Sequence, residues 1–600
     1  LRQYTKVLSK VFLGAVAFLL VAGYLHKEDS STGPDDTVAA KAAITTEKAY
    51  TRAQIRAAQM RAAMPASLTG SYLAGRHAQQ QKDWDNAYKH MSTALELTDG
   101  SNTDLLDRTF LLAIGNGSID DAGILAERVL TNGKNKELAN ILKSVKAVKN
   151  NHYGDALNAL NEIDTETFGG YTVPLLQAWA MFGTGDADKA LALLNDAKYS
   201  DDSHYVLHKA LMHDVTGDKE KAEAAYHAAL KHGLSLQETL LVTNYFERSG
   251  KTEQARHIYK TIRERESNGA FVVHDQNLET TPKATIANAE DGLVFSLFSM
   301  ASLLNERNAH DSALIYSRMV EHLQPDQGFI NIMIGDLLAL NGDYNEALNH
   351  YDKIKSTDPS YKMAQLRSVE VMEASGRTDD AIGLLDNLSQ QETTRLEALT
   401  YIGDIHQRSE RPDLALNAYD QAIDTIGKNL DKQHWNIVYA RGIAYEQLNN
   451  WEAAEKDLLR ALKYQPENPA VLNYIGYSWV EKDMKLEQAM ELLKKAVTLR
   501  PNDGFIADSY GWAFYKQGNY KKAVSWLERA IELNPEDVTL NDHLGDAYWQ
   551  TSRIKEARFQ WERAIHYARD PSKKAALQAK LKRGLITAPA ADNNQEAALR

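Results

Sequence analysis

Asn473, Asp508 and Asp542 stand at one recurring place, three residues before Gly476, Gly511 and Gly545. Tyr474, Ser509 and His543 come two before those glycines, Tyr477, Trp512 and Asp546 one after, and Val480, Tyr515 and Trp549 four after. On a helix these offsets fall on neighbouring rows of one face. The chemistry they offer is recognition. An Asn amide can pair bidentately with a peptide backbone, and carboxylates can take Lys, Arg or an amino terminus. Tyr and Trp supply large contact area at low entropic cost. Bond-making chemistry has no comparable arrangement. The 18 His are scattered without ligand spacing, and Gly115-Asn116-Gly117 reads as a helix-helix turn, not a phosphate cradle. The chain contains no Cys, which excludes thiol catalysis, disulfides and Cys-based metal sites. The expectation is no catalytic residue, no cofactor and no metal. The candidate partner-binding surface is Asn473, Tyr474, Tyr477, Asp508, Trp512, Tyr515, Asp542, His543, Asp546 and Trp549, with Asp508 and Asp542 as exposed, removable charges. A second reading stays open: several of the aromatics, Trp512 and Trp549 foremost, pack between helices as core.

The elements that must position these residues repeat. Gly511 is followed by Ala523, Leu527, Ala530 and Pro535; Gly476 by Ala489, Leu493, Ala496 and Pro501; Gly442 by Ala454, Leu458, Ala461 and Pro466; Gly545 by Ala557, Trp561 and Ala564. Gly and Ala mark where two antiparallel helices approach most closely, a large side chain fills the space beside them, and Pro stops the second helix. A period near 34 with this content is the signature of the tetratricopeptide repeat (TPR). The Ala that opens each second helix's packing face recurs at 87, 122, 156, 190, 222 and 255, and again at 313, 347, 381, 415, 454, 489, 523 and 557. Gly117, Gly185, Gly217, Gly250, Gly342, Gly376 and Gly518 each stand five residues before their Ala. The fold class that follows is all-α, a solenoid of about fourteen helix-turn-helix repeats in two arms forming a right-handed superhelix.

The domain reading runs from the start. Arg2, Lys6 and Lys10 precede an apolar run from Val11 to Leu25, so residues 1–25 read as a signal peptide or membrane anchor. Residues 26–65 read as a linker and an Ala- and Arg-rich helix. An N-terminal arm of about six repeats spans 66–263, a long connecting loop 264–292, and a C-terminal arm of about eight repeats 293–569. Gly427 to Gln433 lengthens one repeat and reads as a longer turn. Residues 570–600 read as a basic capping helix (Lys573, Lys574, Lys580, Lys582, Arg583) and a disordered tail. A net charge of −13 argues against nucleic acid as a partner.

Asn473-Tyr474-Ile475-Gly476-Tyr477-Ser478-Trp479, Asp508-Ser509-Tyr510-Gly511-Trp512 and Asn541-Asp542-His543-Leu544-Gly545-Asp546-Ala547-Tyr548-Trp549 resemble the C-terminal motifs of large exported TPR proteins of Gram-negative bacteria. Gly70-Ser71-Tyr72-Leu73-Ala74-Gly75-Arg76 resembles the first repeat of the alphaproteobacterial members. Some relatives are outer-membrane lipoproteins that serve as adaptors for a periplasmic processing protease; they carry a lipidated Cys, which this sequence lacks. The resemblance assigns no catalytic residue. It implies a non-enzymatic scaffold in the bacterial envelope, periplasmic or anchored by residues 11–25, that binds proteins or peptides in a concave groove. It could deliver substrates to an envelope protease or cell-wall hydrolase. The alternative is a structural assembly factor for an envelope complex or polysaccharide export machine. No small-molecule substrate is expected.

Overall fold

The computed structural model describes residues 67–98, 102–165, 170–231, 233–265 and 283–585. Residues 1–66, read from sequence as an export signal or anchor followed by a linker and a helix, most of the connecting segment and the tail from residue 586 lie outside the described residues. Within them the fold is all-α: fourteen helix hairpins and one final helix, with no strand among the described residues.

The hairpins close for the reason the spacing suggests. All fourteen packing alanines, from Ala87 to Ala557, are 0% exposed. An added Cβ at Gly476 would lie 2.7 Å from Leu493 Cγ, at Gly511 2.9 Å from Leu527 Cγ, and at Gly545 2.5 Å from the Trp561 ring. A larger residue would have to push the two helices apart. The seven turn glycines all have positive φ, as the left-handed turn between helices requires. At the same place six other hairpins put Lys82, Asn151, Asn308, Glu410, Asn449 and Ser552 in that conformation. There the turn geometry overrides residue preference.

The region around the connecting segment corrects the expected division. Helix Thr252–Arg265 runs past residue 263, and Ala289–Gly292, expected in a loop, are the first turn of helix Ala289–Glu306, whose N-terminus the Asn288 side chain caps. The stretch Leu293-Val294-Phe295 through Met300-Ala301 is apolar on nearly every side, and the helix is accordingly buried on nearly every side. What buries it is the first helices of earlier hairpins. Gly292 abuts Trp179, and the Phe295 ring lies 5.3 Å from that of His208. The following helix, His310–Leu323, is pinned by Asp311 to Lys82 (2.6 Å), by Arg318 Nε donating to the Gly115 carbonyl (3.3 Å), and by Lys149 Nζ donating to the Leu323 carbonyl (2.6 Å). The hairpin Ala289–Leu323 thus fills the face that the N-terminal first helices would otherwise present. Two compact units divide inside helix Thr378–Ser389, one ending at Leu384 and the other starting at Leu385, and not at 264–292.

In the unit from Leu385, the site is carried by the first helices Trp435–Gln447, Pro469–Glu481, Gly504–Lys516 and Val538–Gln550, each followed by its packing helix. Asn468, Asp503 and Asp537 cap the last three by accepting backbone N–H bonds. Gly427–Asn429 and Lys432–His434 form two 3-10 turns in the lengthened repeat.

Candidate functional site

The last hairpins bring most of the ten expected residues together, but they satisfy one another more than expected. Asp508 is a correction: it is 4% exposed, and its carboxylate accepts from His543 Nδ1 at 2.9 Å. Burial works against the His543 imidazolium, but Asp508, with Asp542 and Asp546 behind it, holds that imidazole above its ordinary pKa. His543 in turn lies flat on Trp512, and Trp512 stacks on Tyr515 with 4.4 Å between centroids. The indole Nε1 of Trp512 donates to Glu481 Oε1 at 2.5 Å.

Asp542 and Asp546 are a second correction. Both are engaged by Lys580 of the final helix, Pro571–Arg583, whose ammonium donates to Asp542 Oδ1 at 2.6 Å and to Asp546 Oδ2 at 2.8 Å. Asp546 also accepts from Trp561 Nε1 at 2.9 Å. Burial and the neighbouring Asp542 raise the Asp546 pKa against the pull of Lys580. The final helix therefore caps the last hairpin and neutralises its carboxylates at once. Trp549 packs against Trp561 and beneath Gly584, as core.

Tyr474 is largely buried, edge-on to Tyr439, with its hydroxyl donating to Glu446 Oε2 at 2.5 Å. Asn473 Oδ1 is shut off from solvent without a hydrogen bond, so that oxygen is not open to a peptide N–H. Tyr477, Trp512 and Tyr515 remain half-buried; the faces of Trp512 are covered by His543 and Tyr515. The Tyr477 hydroxyl sits within the field of three carboxylates: burial, then Glu481, Asp508 and Glu446, push its pKa up. The open strip is therefore Tyr477, Glu481, Trp512 and Tyr515. Glu481 was missed because it lies five residues after Gly476, one beyond the offsets that define the face, at the last position of its helix.

The strip can make apolar contact and accept hydrogen bonds. Among the described residues there is no group of three or more His, Asp or Glu placed to hold a metal ion. No helix among them is long and apolar enough to cross a membrane, and the run Val11–Leu25 lies outside them.

Tetratricopeptide-repeat family models match residues 338–400, 439–504 and 511–552. Over 191 residues (32% of this chain, 31% of the relative) the chain is 28% identical to "TPR repeat-containing protein PA4667" of Pseudomonas aeruginosa. Over 175 residues (28% of this chain, 20% of the relative) it is 24% identical to "Protein O-mannosyl-transferase TMTC1" of Homo sapiens. Over 99 residues (16% of this chain, 31% of the relative) it is 29% identical to "Lipoprotein NlpI homolog" of Haemophilus influenzae. The chain thus spans under a third of the length of each curated relative. The repeats shared with them are a scaffold for protein-protein contact.

Proposed function

We propose that this chain, a tetratricopeptide-repeat protein, is a non-enzymatic interaction scaffold that holds a partner protein on the first-helix face of its last four hairpins. The observation that carries the reading is the contrast between two first-helix faces. The N-terminal one is filled by the chain's own Ala289–Leu323 hairpin. The later one keeps Tyr477, Trp512 and Tyr515 half-buried beside the exposed Glu481. Trp512 and Tyr515, braced by stacking, lose little entropy on contact with a partner.

The proposed setting is the bacterial envelope, with residues 11–25 as export signal or anchor and an adaptor role toward an envelope protease or cell-wall hydrolase. The basic flank and apolar run support this setting, and so does the similarity to a lipoprotein of Haemophilus influenzae. A phosphatase fused at Thr551 is expected to be active in cells; an inactive fusion with a bright cytoplasmic reporter removes the envelope setting.

The partner-binding reading is tested by crosslinked capture from envelope fractions with the wild-type chain and a Tyr477→Ala/Tyr515→Ala variant. A protease and its substrates that are retained by wild type and lost from the variant support the adaptor. Undiminished yield from a normally folded variant contradicts the assigned face.

A further inference from the structure

In the last four hairpins, five aromatic side chains donate a hydrogen bond to a carboxylate, and four of those carboxylates also meet a basic side chain of this chain. Trp479 Nε1 donates to Glu455 Oε1 at 2.6 Å; Lys485 Nζ reaches the same oxygen at 2.7 Å and lies 4.8 Å from the Trp479 ring centroid. Tyr548 donates to Glu528 Oε1 at 2.7 Å; Arg553 reaches that oxygen at 3.0 Å, 4.0 Å from the Tyr548 ring. Trp561 donates to Asp546, which Lys580 also holds. Tyr474 donates to Glu446 Oε2, and Lys482 stands 3.4 Å from its other oxygen.

The fifth pair is incomplete. Trp512 Nε1 donates to Glu481 Oε1, and Glu481 has no basic partner among the described residues. The nearby Lys516 points to Asp483 at 3.3 Å. An ionised carboxylate has about four acceptor positions, and one indole N–H uses one of them. Tyr477 lies one helical turn before Glu481, and its hydroxyl makes no hydrogen bond among the described residues. The place a cation takes in the other four arrangements is open here, on the solvent side, next to the half-buried rings.

We propose that the partner supplies the missing cation: a Lys or Arg side chain of a basic protein segment that lies along Tyr477 and ends on the Glu481 carboxylate. Cation-ring contact and a charge-assisted hydrogen bond are both available to it. Lys580 on Asp542 and Asp546, two hairpins on, shows the same face accepting an ammonium from within the chain. The inference rests on the reading that this face binds protein segments.

The test uses the full chain and a displayed library of random peptides. Wild type is expected to select peptides with Lys or Arg at one fixed position. Replacing that residue by Ala in a selected peptide is expected to weaken binding about 10-fold. Glu481→Gln in the chain should cause the same loss, and the two changes together should cost little more than either alone. Glu481→Lys should select Asp or Glu at the same place. Because Glu481 is exposed, unchanged thermal unfolding of these variants confirms that they remain folded. If the peptide's Lys→Ala change weakens binding equally in wild type and Glu481→Gln, the cation sits elsewhere. This inference then falls while the binding face stands. If wild type selects no peptide that Tyr477→Ala/Tyr515→Ala fails to bind, the binding face falls with it.

Discussion

The indole of Trp512 lies flat against the imidazole of His543, with 3.9 Å between ring centroids and 10° between planes. Behind the imidazole is Asp508, so one hairpin's carboxylate charges the next hairpin's ring, and that ring braces the aromatic strip. Packing and electrostatics are joined at this point.

His543 is expected to titrate above its ordinary value of 6.5, because the Asp508 carboxylate outweighs the burial penalty. A His whose folded pKa is raised contributes stability that is fully present below the unfolded pKa and lost as pH rises through the folded one. Unfolding free energy should therefore fall with rising pH above about 6.5 in a step that His543→Gln removes. A ring-proton titration that places His543 below 6.5 would contradict the pair.

Asp508→Ala is expected to destabilise the chain by about 3 kcal/mol, because it strands a buried His543. Asp508→Asn, which keeps an acceptor, should cost less. A change within about 0.5 kcal/mol, the usual cost at an exposed charge, would return Asp508 to the surface.

That contrast shows where sequence reading ends. The Ala and Gly ladder is legible because hairpin closure is local: Ala523 meets its partner helix within one period. Whether Asp508 faces solvent depends on His543, 35 residues away, and whether Asp542 is free depends on Lys580, 38 residues away. Helical offsets place a residue on a face but do not say what covers that face. The Ala289–Leu323 hairpin is the larger case. The run Leu293–Ala301 is buried in the structure, but nothing in the period says that the hairpin folds back on much earlier helices.

Glu410 occupies the left-handed turn position where seven other hairpins have Gly. Glu410→Gly should stabilise by about 1 kcal/mol, since a side chain in that conformation costs roughly that much. Urea unfolding that shows a loss of stability would mean that the Glu410 side chain compensates.

Gly292→Ala should loosen the docking of the Ala289–Leu323 hairpin, because the added Cβ would lie 2.1 Å from the Trp179 ring. Overpacking of this kind costs about 1–3 kcal/mol. Hydrogen exchange should quicken first in Val173–Gly183 and Ala289–Glu306. Unchanged exchange in both would mean that the first-helix face is not filled as described.

Partners are expected to meet the first-helix face of the last four hairpins. The most direct measurement is photocrosslinking in living cells with a photoreactive residue at Tyr515 and, separately, at Phe559, which is 56% exposed on the packing helix Ile554–Tyr567. A discrete crosslinked partner is expected from Tyr515 and none from Phe559. Crosslinks from Phe559 alone, or equal and identical products from both positions, would contradict that expectation.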